Sequence, residues 1–512
     1  MPRPARRLNQ QSLSSLSSEV CRFLRSAVDQ CPAAQYAIEL AVSGIEDSDT
    51  RSHFTAASKL ALLKERNACW DALKWGETRD IPLLQKDVIW NLCGGVFAQS
   101  GLPGALRLHQ LPSQYRNIQA SSWRIPLPNN TYDFIMDPAQ DLLALVETPV
   151  LIATHNNMKS HVRIRIHLRS IATGQVHPSV INSVRVIDHS LDMQCTWVDL
   201  SLQVSSNFLG VLFVAQFETP ELATWNWKTG ELILTCSSCD ITTFSFLTSH
   251  LLLVGTVMNE SKVIQPRLFV LDLSIPSKIK VTLAADYTCI FGLPAFSLVV
   301  KPIKIVIRSD PSPEWKPNPQ TQIPFSIAHG QRLFLITICV EEKKKEVSYD
   351  LFAPADILLS YVTALPPQTR QHIINWDIWG PTGTRLLKSP PHSIVWTGYV
   401  FGSKFVLLVT PPKATAGQPL QTLQVWNFNQ LVIKRATALG LENENMHYVN
   451  DTTVIKDKVF AKTIRTSLPY SITTRSLPPR SPKESTFTDA MCSEDAIVLA
   501  TSDRCYLRVL IF

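Results

Sequence analysis

Apolar residues along this chain follow two different rhythms. From Val20 to Trp75 they recur at every third or fourth position, the repeat of amphipathic helices. Ser18 and Glu19 stand where an N-cap and an acidic first turn belong, and Val20, Phe23, Leu24, Ala27 and Val28 follow at helical spacing. Pro32 ends that helix. A second is predicted from Ala33 to Ile45, with Tyr36, Ile38, Leu40 and Ala41 as its stripe and Gly44 near its end. A third, from Thr55 to Lys74, carries Leu60, Leu63, Trp70 and Leu73 on one side. Lys59, Lys64, Glu65 and Arg66 fall mostly on the other.

From Gly94 onward the pattern becomes one of short β-like runs broken by Pro, Gly, Asn and Asp. An apolar run comes first, as in Asp141–Val146, Leu209–Val214, His250–Val254, Arg332–Thr337, Lys404–Val409 and Ala496–Ala500. After a polar turn, a second run often sets an aromatic beside Asn or Asp: Ala223–Gly230, Arg267–Leu273, Ile374–Trp379 and Gln424–Phe428. Asn226, Asp272, Asp377 and Asn427 mark a period of about 40–50 residues with one unit skipped. Such repeats, each giving a few short strands, predict an irregular β-propeller of about six to seven blades. A final run, Cys505–Phe512, suits a ring whose last blade is completed by a strand from the other end of the chain. The Pro-rich stretches Lys301–Ile323 and Leu477–Thr486 are expected to be long loops. A pair of β-sandwiches is the rival architecture.

The fold class is therefore mainly β with a short N-terminal all-α head. Residues 1–18 form a basic, Ser-rich tail, read as disordered with a mitochondrial presequence as the alternative; 19–93 form the head and 94–512 the propeller-like domain. In a chain of 512 residues, 45% hydrophobic and 18% charged residues are ample for a packed core. The net charge of +7 is scattered rather than gathered as nucleic-acid binders gather it, and no apolar run is long enough for a bilayer. Eleven cysteines without framework spacing point to reduced thiols and a cytoplasmic or nuclear setting.

No stretch spells out catalysis, and no cofactor or metal site is expected. Cys236-Ser-Ser-Cys239 lacks the second pair or histidines of a zinc site and reads as two small residues at a strand end. In Val162–Arg169 the apolar residues alternate with Arg163, Arg165, His167 and Arg169. That polar stripe is a solvated face by default and a docking patch for an acidic partner in the sharper reading.

Gln35–Ala41 with Gly44, Leu60–Arg66 with Trp70 and Trp75, and Gly94-Gly95-Val96-Phe97 together resemble F-box proteins of mushroom-forming (basidiomycete) fungi, with the F-box itself largely missing. Only Glu19–Gln30 corresponds to its last helix, with Val20, Phe23 and Leu24 as the adaptor-binding positions the resemblance implies. By that resemblance the chain is a non-catalytic substrate receptor of a cullin-type (SCF) ubiquitin ligase. The head then holds a Skp-type adaptor, and the propeller selects the protein substrate. The alternative is a propeller scaffold in an assembly unrelated to ubiquitination.

Overall fold

The computed structural model describes residues 22–512, apart from 49–53, 85–88, 102–103, 129, 154–159, 182–184, 194, 196, 261–262, 275–278, 299, 318–322, 367–368, 391–397, 411–420, 441–444 and 479–484. Among the described residues the head holds three helices, α1 (Arg22–Gln30), α2 (Pro32–Ser43) and α3 (Ala56–Asp71). Pro32 opens α2 and Gly44 closes it at φ 68°, a left-handed position that favours glycine. Thr55 caps α3 by accepting from the Ser58 N–H. In α3 the buried face is Lys59, Leu63, Arg66 and Trp70, one step round from the stripe expected. Lys59 and Arg66 are drawn inward because acidic partners face them.

The body is a seven-bladed β-propeller. Blades 1 to 6 span Trp90–Pro126, Thr131–Leu191, Val198–Ser237, Ile241–Gly292, Lys301–Lys388 and Val400–Ser476. Blade 7 takes Phe487–Ile511 and a strand from the other end of the chain, Glu77–Pro82, which pairs antiparallel with Tyr506–Ile511. Closure of this kind removes the two open edges a linear array of blades would leave. It also moves the working boundary: Glu77–Pro82 and Trp90–Cys93, expected in the head, belong to blades.

The first strands of neighbouring blades touch around the centre of the ring. Second strands are buried on both faces, as Leu142–Val146, Leu252–Val254 and Ile497–Ala500 illustrate. That double burial explains why they read as unbroken apolar runs. Cys93-Gly94-Gly95-Val96 is the tight turn into the second strand of blade 1, with φ 56° and 75° at its glycines.

Blades 4 to 6 are irregular because the link between their third and fourth strands is long and reaches back to the preceding blade. Lys280–Val281 adds to blade 3 and His372–Ile374 to blade 4, both in parallel. The link in blade 5 also contains α4 (Ala355–Thr363) and α5 (Trp376–Gly383), and that in blade 6 contains α6 (Gln430–Leu439). From the blade 6 link, the hairpin Thr453–Ile455/Ile464–Thr466 packs on the outer strand of blade 5. There fully buried Arg385 donates to the Leu468 and Asp451 carbonyls at 2.8 and 2.7 Å and to Thr453 Oγ1 at 2.7 Å.

Two expectations change. Ile374–Trp379 is no repeat strand: Asp377 lies in α5, and the matching third strand of blade 5 is Lys345–Pro354. Lys301–Arg308 is the first strand of blade 5 rather than loop. Pro302 is tolerated because a first strand is a sheet edge and its register slips between Pro302 and Lys304.

Candidate functional site

In each blade the first–second and third–fourth links emerge at one face of the ring, here the head face. The second–third links and the links between blades emerge at the opposite, open face. All main anchors of the head lie on the head face. Ile45–Asp47 pairs with Phe325–Ile327 of blade 5. Glu39 of α2 binds Arg435 of α6 at 2.6 Å, and Asn429 donates to the Val42 carbonyl at 2.9 Å. Trp70 stacks on Phe512 with centroids 4.1 Å apart.

The strongest anchor is a buried charge cluster. Arg66 of α3 meets Asp495 Oδ1 at 2.7 Å and the Glu494 carbonyl at 2.8 Å. Arg116 of blade 1 meets the other Asp495 oxygen and lies 2.8 Å from Glu494 Oε2; Ser113 donates to Asp495 at 2.6 Å. Burial alone would raise the Asp495 carboxyl, yet the guanidiniums of Arg116 and Arg66 outweigh it and hold Asp495 far below the carboxylate range. Beside them Lys404 Nζ sits 4.3 Å from the centre of the Trp70 ring, pushed down to about 8 by burial and by Arg66.

The long first link of blade 5 also crosses the mouth of the central channel. The Asp310 carbonyl accepts from the Gly402 N–H of blade 6 at 2.7 Å, and the Pro313 carbonyl accepts from Ser205 of blade 3 at 3.4 Å. Glu314 accepts from Ser249 of blade 4 at 2.8 Å, and Trp315 lies over Gly94 of blade 1, where a Cβ would come within 3.0 Å of the ring. Behind this strap lies a cavity of about 560 Å³, lined by first strands and by Asp133, Arg308, Asp310 and Arg332. Burial pushes Asp133 and Asp310 up to about 6 and Arg332 down to about 10. Asp133 and Arg308 in first strands and Asp310 and Arg332 in the blade 5 link give no sequence signal, because polar residues that line the cavity follow no regular spacing.

The open face is different in character. Trp197 and Phe217, 76% and 97% exposed, flank the paired residues Val198 and Ala215 of blade 3, and Leu298 is 80% exposed between blades 4 and 5. Single exposed apolar side chains are ordinary on a protein surface, whereas neighbouring ones mark a binding face, and Trp197 and Phe217 stand at adjoining strand ends. Among the described residues no group of three or more His, Cys, Asp or Glu is placed to hold a metal ion, and no helix is long and apolar enough to cross a membrane.

The polar stripe alternates as expected, with Val162, Ile164, Ile166 and Leu168 fully buried. Each of its four side chains already has a partner on the protein. Arg163 pairs with Asp188 through both carboxylate oxygens, Arg165 and His167 share Glu147 at 3.4 and 2.6 Å, and Arg169 donates to the Gly174 carbonyl at 3.1 Å. Cys236 is buried at a strand end, its thiol pushed up to about 12 by burial, and Cys239 is exposed. Val20 lies outside the described residues; Phe23 and Leu24 fall in α1, but their side chains also lie outside the description.

The fold thus defines a seven-bladed propeller whose head face is covered by a helical cap. No protein-family model and no curated protein matches the chain. Solved structures match over most of it at low identity. A chain of the mitotic checkpoint complex is 9% identical with a TM-score of 0.33, over 86% of this chain and 95% of that one. Sqt1 of Chaetomium thermophilum, bound to the N-terminus of ribosomal protein L10, is 10% identical with a TM-score of 0.31, over 82% and 81%. Drosophila Semaphorin 2a is 7% identical with a TM-score of 0.35, over 85% and 75%. Likeness at this level assigns neither a family nor a partner.

Proposed function

We propose that this chain is a non-catalytic recognition subunit that binds a protein through its propeller and a second component through its head. In the terms of the F-box resemblance, the second component is a Skp-type adaptor and the chain a substrate receptor of a cullin-type ubiquitin ligase. The observation that carries the reading is the division of the two faces. The head is welded to one by buried ion pairs, and Trp197, Phe217 and Leu298 stand exposed on the other. A rigid joint fixes the orientation of one partner relative to the other, which an adaptor requires and a free-standing binding domain does not.

A pull-down with a Skp-type adaptor tests this, using the full chain beside one lacking residues 1–32. Binding by the full chain that is lost on deletion is the expected result. Adaptor binding by neither form would overturn the receptor reading and leave a propeller scaffold outside ubiquitination.

A further inference from the structure

The outer rim of blade 4 carries a groove that neither the head nor the channel uses. It encloses about 570 Å³ between the blade, α5 and the loop before Ile464. Its apolar side includes Ile373, 52% exposed, and the half-buried Trp376. Arg267, Lys462 and Arg465 line it against a single carboxylate, Asp377. The side chains of Lys462 and Arg465 are exposed and, among the described residues, enter no ion pair or hydrogen bond. That sets them apart from the stripe of blade 2, where Arg163 and Arg165 meet carboxylates and Arg169 a backbone carbonyl.

The groove also borders an open sheet edge. His372–Ile374 is the outermost strand of blade 4, bonded on one side to Cys289–Phe291 and paired on its other side with no strand among the described residues. An edge strand offers backbone donors and acceptors that another extended chain can complete.

We propose that this groove takes an extended acidic segment of a protein partner, which runs along His372–Ile374, seats an apolar side chain against Ile373 and Trp376, and turns carboxylates toward Lys462 and Arg465. Charge selects the occupant, since the exposed side chains of Lys462 and Arg465 face a single carboxylate, Asp377, and leave a surplus that an acidic segment neutralises. The N-terminal tail of this chain is excluded by the same sign rule, because residues 1–18 contain Arg3, Arg6 and Arg7 and no acid. A nucleic-acid strand would answer the charge but not the alternating donors and acceptors of the sheet edge. The contact is separate from the head, and it rests on the proposed function only in taking the occupant to be a protein.

Panning a library of random ten-residue displayed peptides on the full chain and on the K462E/R465E variant tests the proposal. Both positions are exposed, so the variant is expected to melt with the wild type; the milder K462Q/R465Q pair removes charge without reversing it. Peptides recovered on the wild type are expected to be rich in Asp and Glu beside an aliphatic or aromatic residue. Recovery should fall at least tenfold on K462E/R465E and by less on K462Q/R465Q. No acidic enrichment, or equal recovery on the charge-reversed chain, would overturn it. So would an RNA oligonucleotide that binds more tightly than the peptides and is lost in the same variant. Adaptor pull-down with K462E/R465E separates this idea from the receptor reading, since a groove that fails here leaves adaptor binding untouched.

Discussion

Two sets of arginines on this propeller are built from the same chemistry and put to opposite uses. Arg66 and Arg116 meet Glu494 and Asp495 where every side chain is 2–6% exposed. Arg163 meets Asp188 with both side chains more than 40% exposed. In the first set each charge has lost its water and depends on its partners, so the group acts as a lock between head and ring. In the second, water competes for every contact, and the pairs chiefly keep a strand face solvated and neutral. A salt bridge therefore identifies a structural joint only when its burial is stated with it.

The lock gives the largest expected effect. Asp495→Ala leaves two buried guanidiniums without their shared carboxylate, and a loss of about 3–5 kcal/mol is expected from denaturant unfolding. The sign of the pH effect follows from the depressed Asp495 pKa. Its stabilisation is fully present above the ordinary carboxylate range near about pH 4 and is lost as pH falls below it. Wild type and Asp495→Asn should converge in acid; if their stabilities fall in parallel down to pH 2, the lock is not electrostatic. Arg385 gives the next effect. Arg385→Ala strands the Leu468 and Asp451 carbonyls at a cost of about 2–4 kcal/mol. Hydrogen exchange should quicken around residues 446–468 before it does in blades 1–3.

These two sites also mark where the sequence could be read and where it could not. The ring was legible through its second strands, because burial on both faces makes each an unbroken apolar run, and six of these runs were found that way. The aromatic–Asn/Asp marker is weaker. At the third-strand position paired with the start of the second strand, blades 3, 4 and 6 carry Asn226, Asp272 and Asn427. Blades 1, 2, 5 and 7 carry Gln110, Ser170, Pro354 and Ile511 there. The turn needs no fixed side chain, so composition drifts. Arg66 and Arg385 were not legible as buried residues. A charged side chain reads as surface in one sequence, and its acceptors, Asp495 or the Leu468 carbonyl, lie far along the chain. The channel residues Asp133, Asp310 and Arg332 are not legible either, because residues that line the cavity follow no regular spacing.

Lys404 sharpens the contrast at smaller scale, since it is a cation at the lock without a carboxylate in contact. Its folded pKa of about 8 lies below the usual lysine value near about 10.4. Between those values the unfolded chain holds a proton that the folded chain releases, so this group makes stability rise with pH from 8 to about 10. Burial lowers it first and Arg66 adds to that, while Cys492, Asp495 and Asp71, which also face it, act the other way. Lys404→Met should remove the alkaline rise and flatten the profile; an unchanged slope would place the titration elsewhere.

The smallest effect is expected at the exposed stripe. Arg163 has a doubly bonded carboxylate partner, yet both groups stand in water and the apolar side of the strand stays buried without them. Arg163→Ala is expected to move the melting temperature by no more than about 1 °C. Arg163→Glu sets two like charges diagonally across the strand pair, since Arg163 faces Ser190 and the contacting Asp188 faces Arg165. A small drop is expected there, rescued by Asp188→Lys. Recovery of protein partners by Arg163→Glu should equal that of the wild type, because Asp188 already pairs with Arg163 and Glu147 with Arg165 and His167. A loss of recovery with the melting temperature unchanged would return the stripe to the partner-binding face, and burial would then no longer separate the joints of this molecule from its contact surfaces.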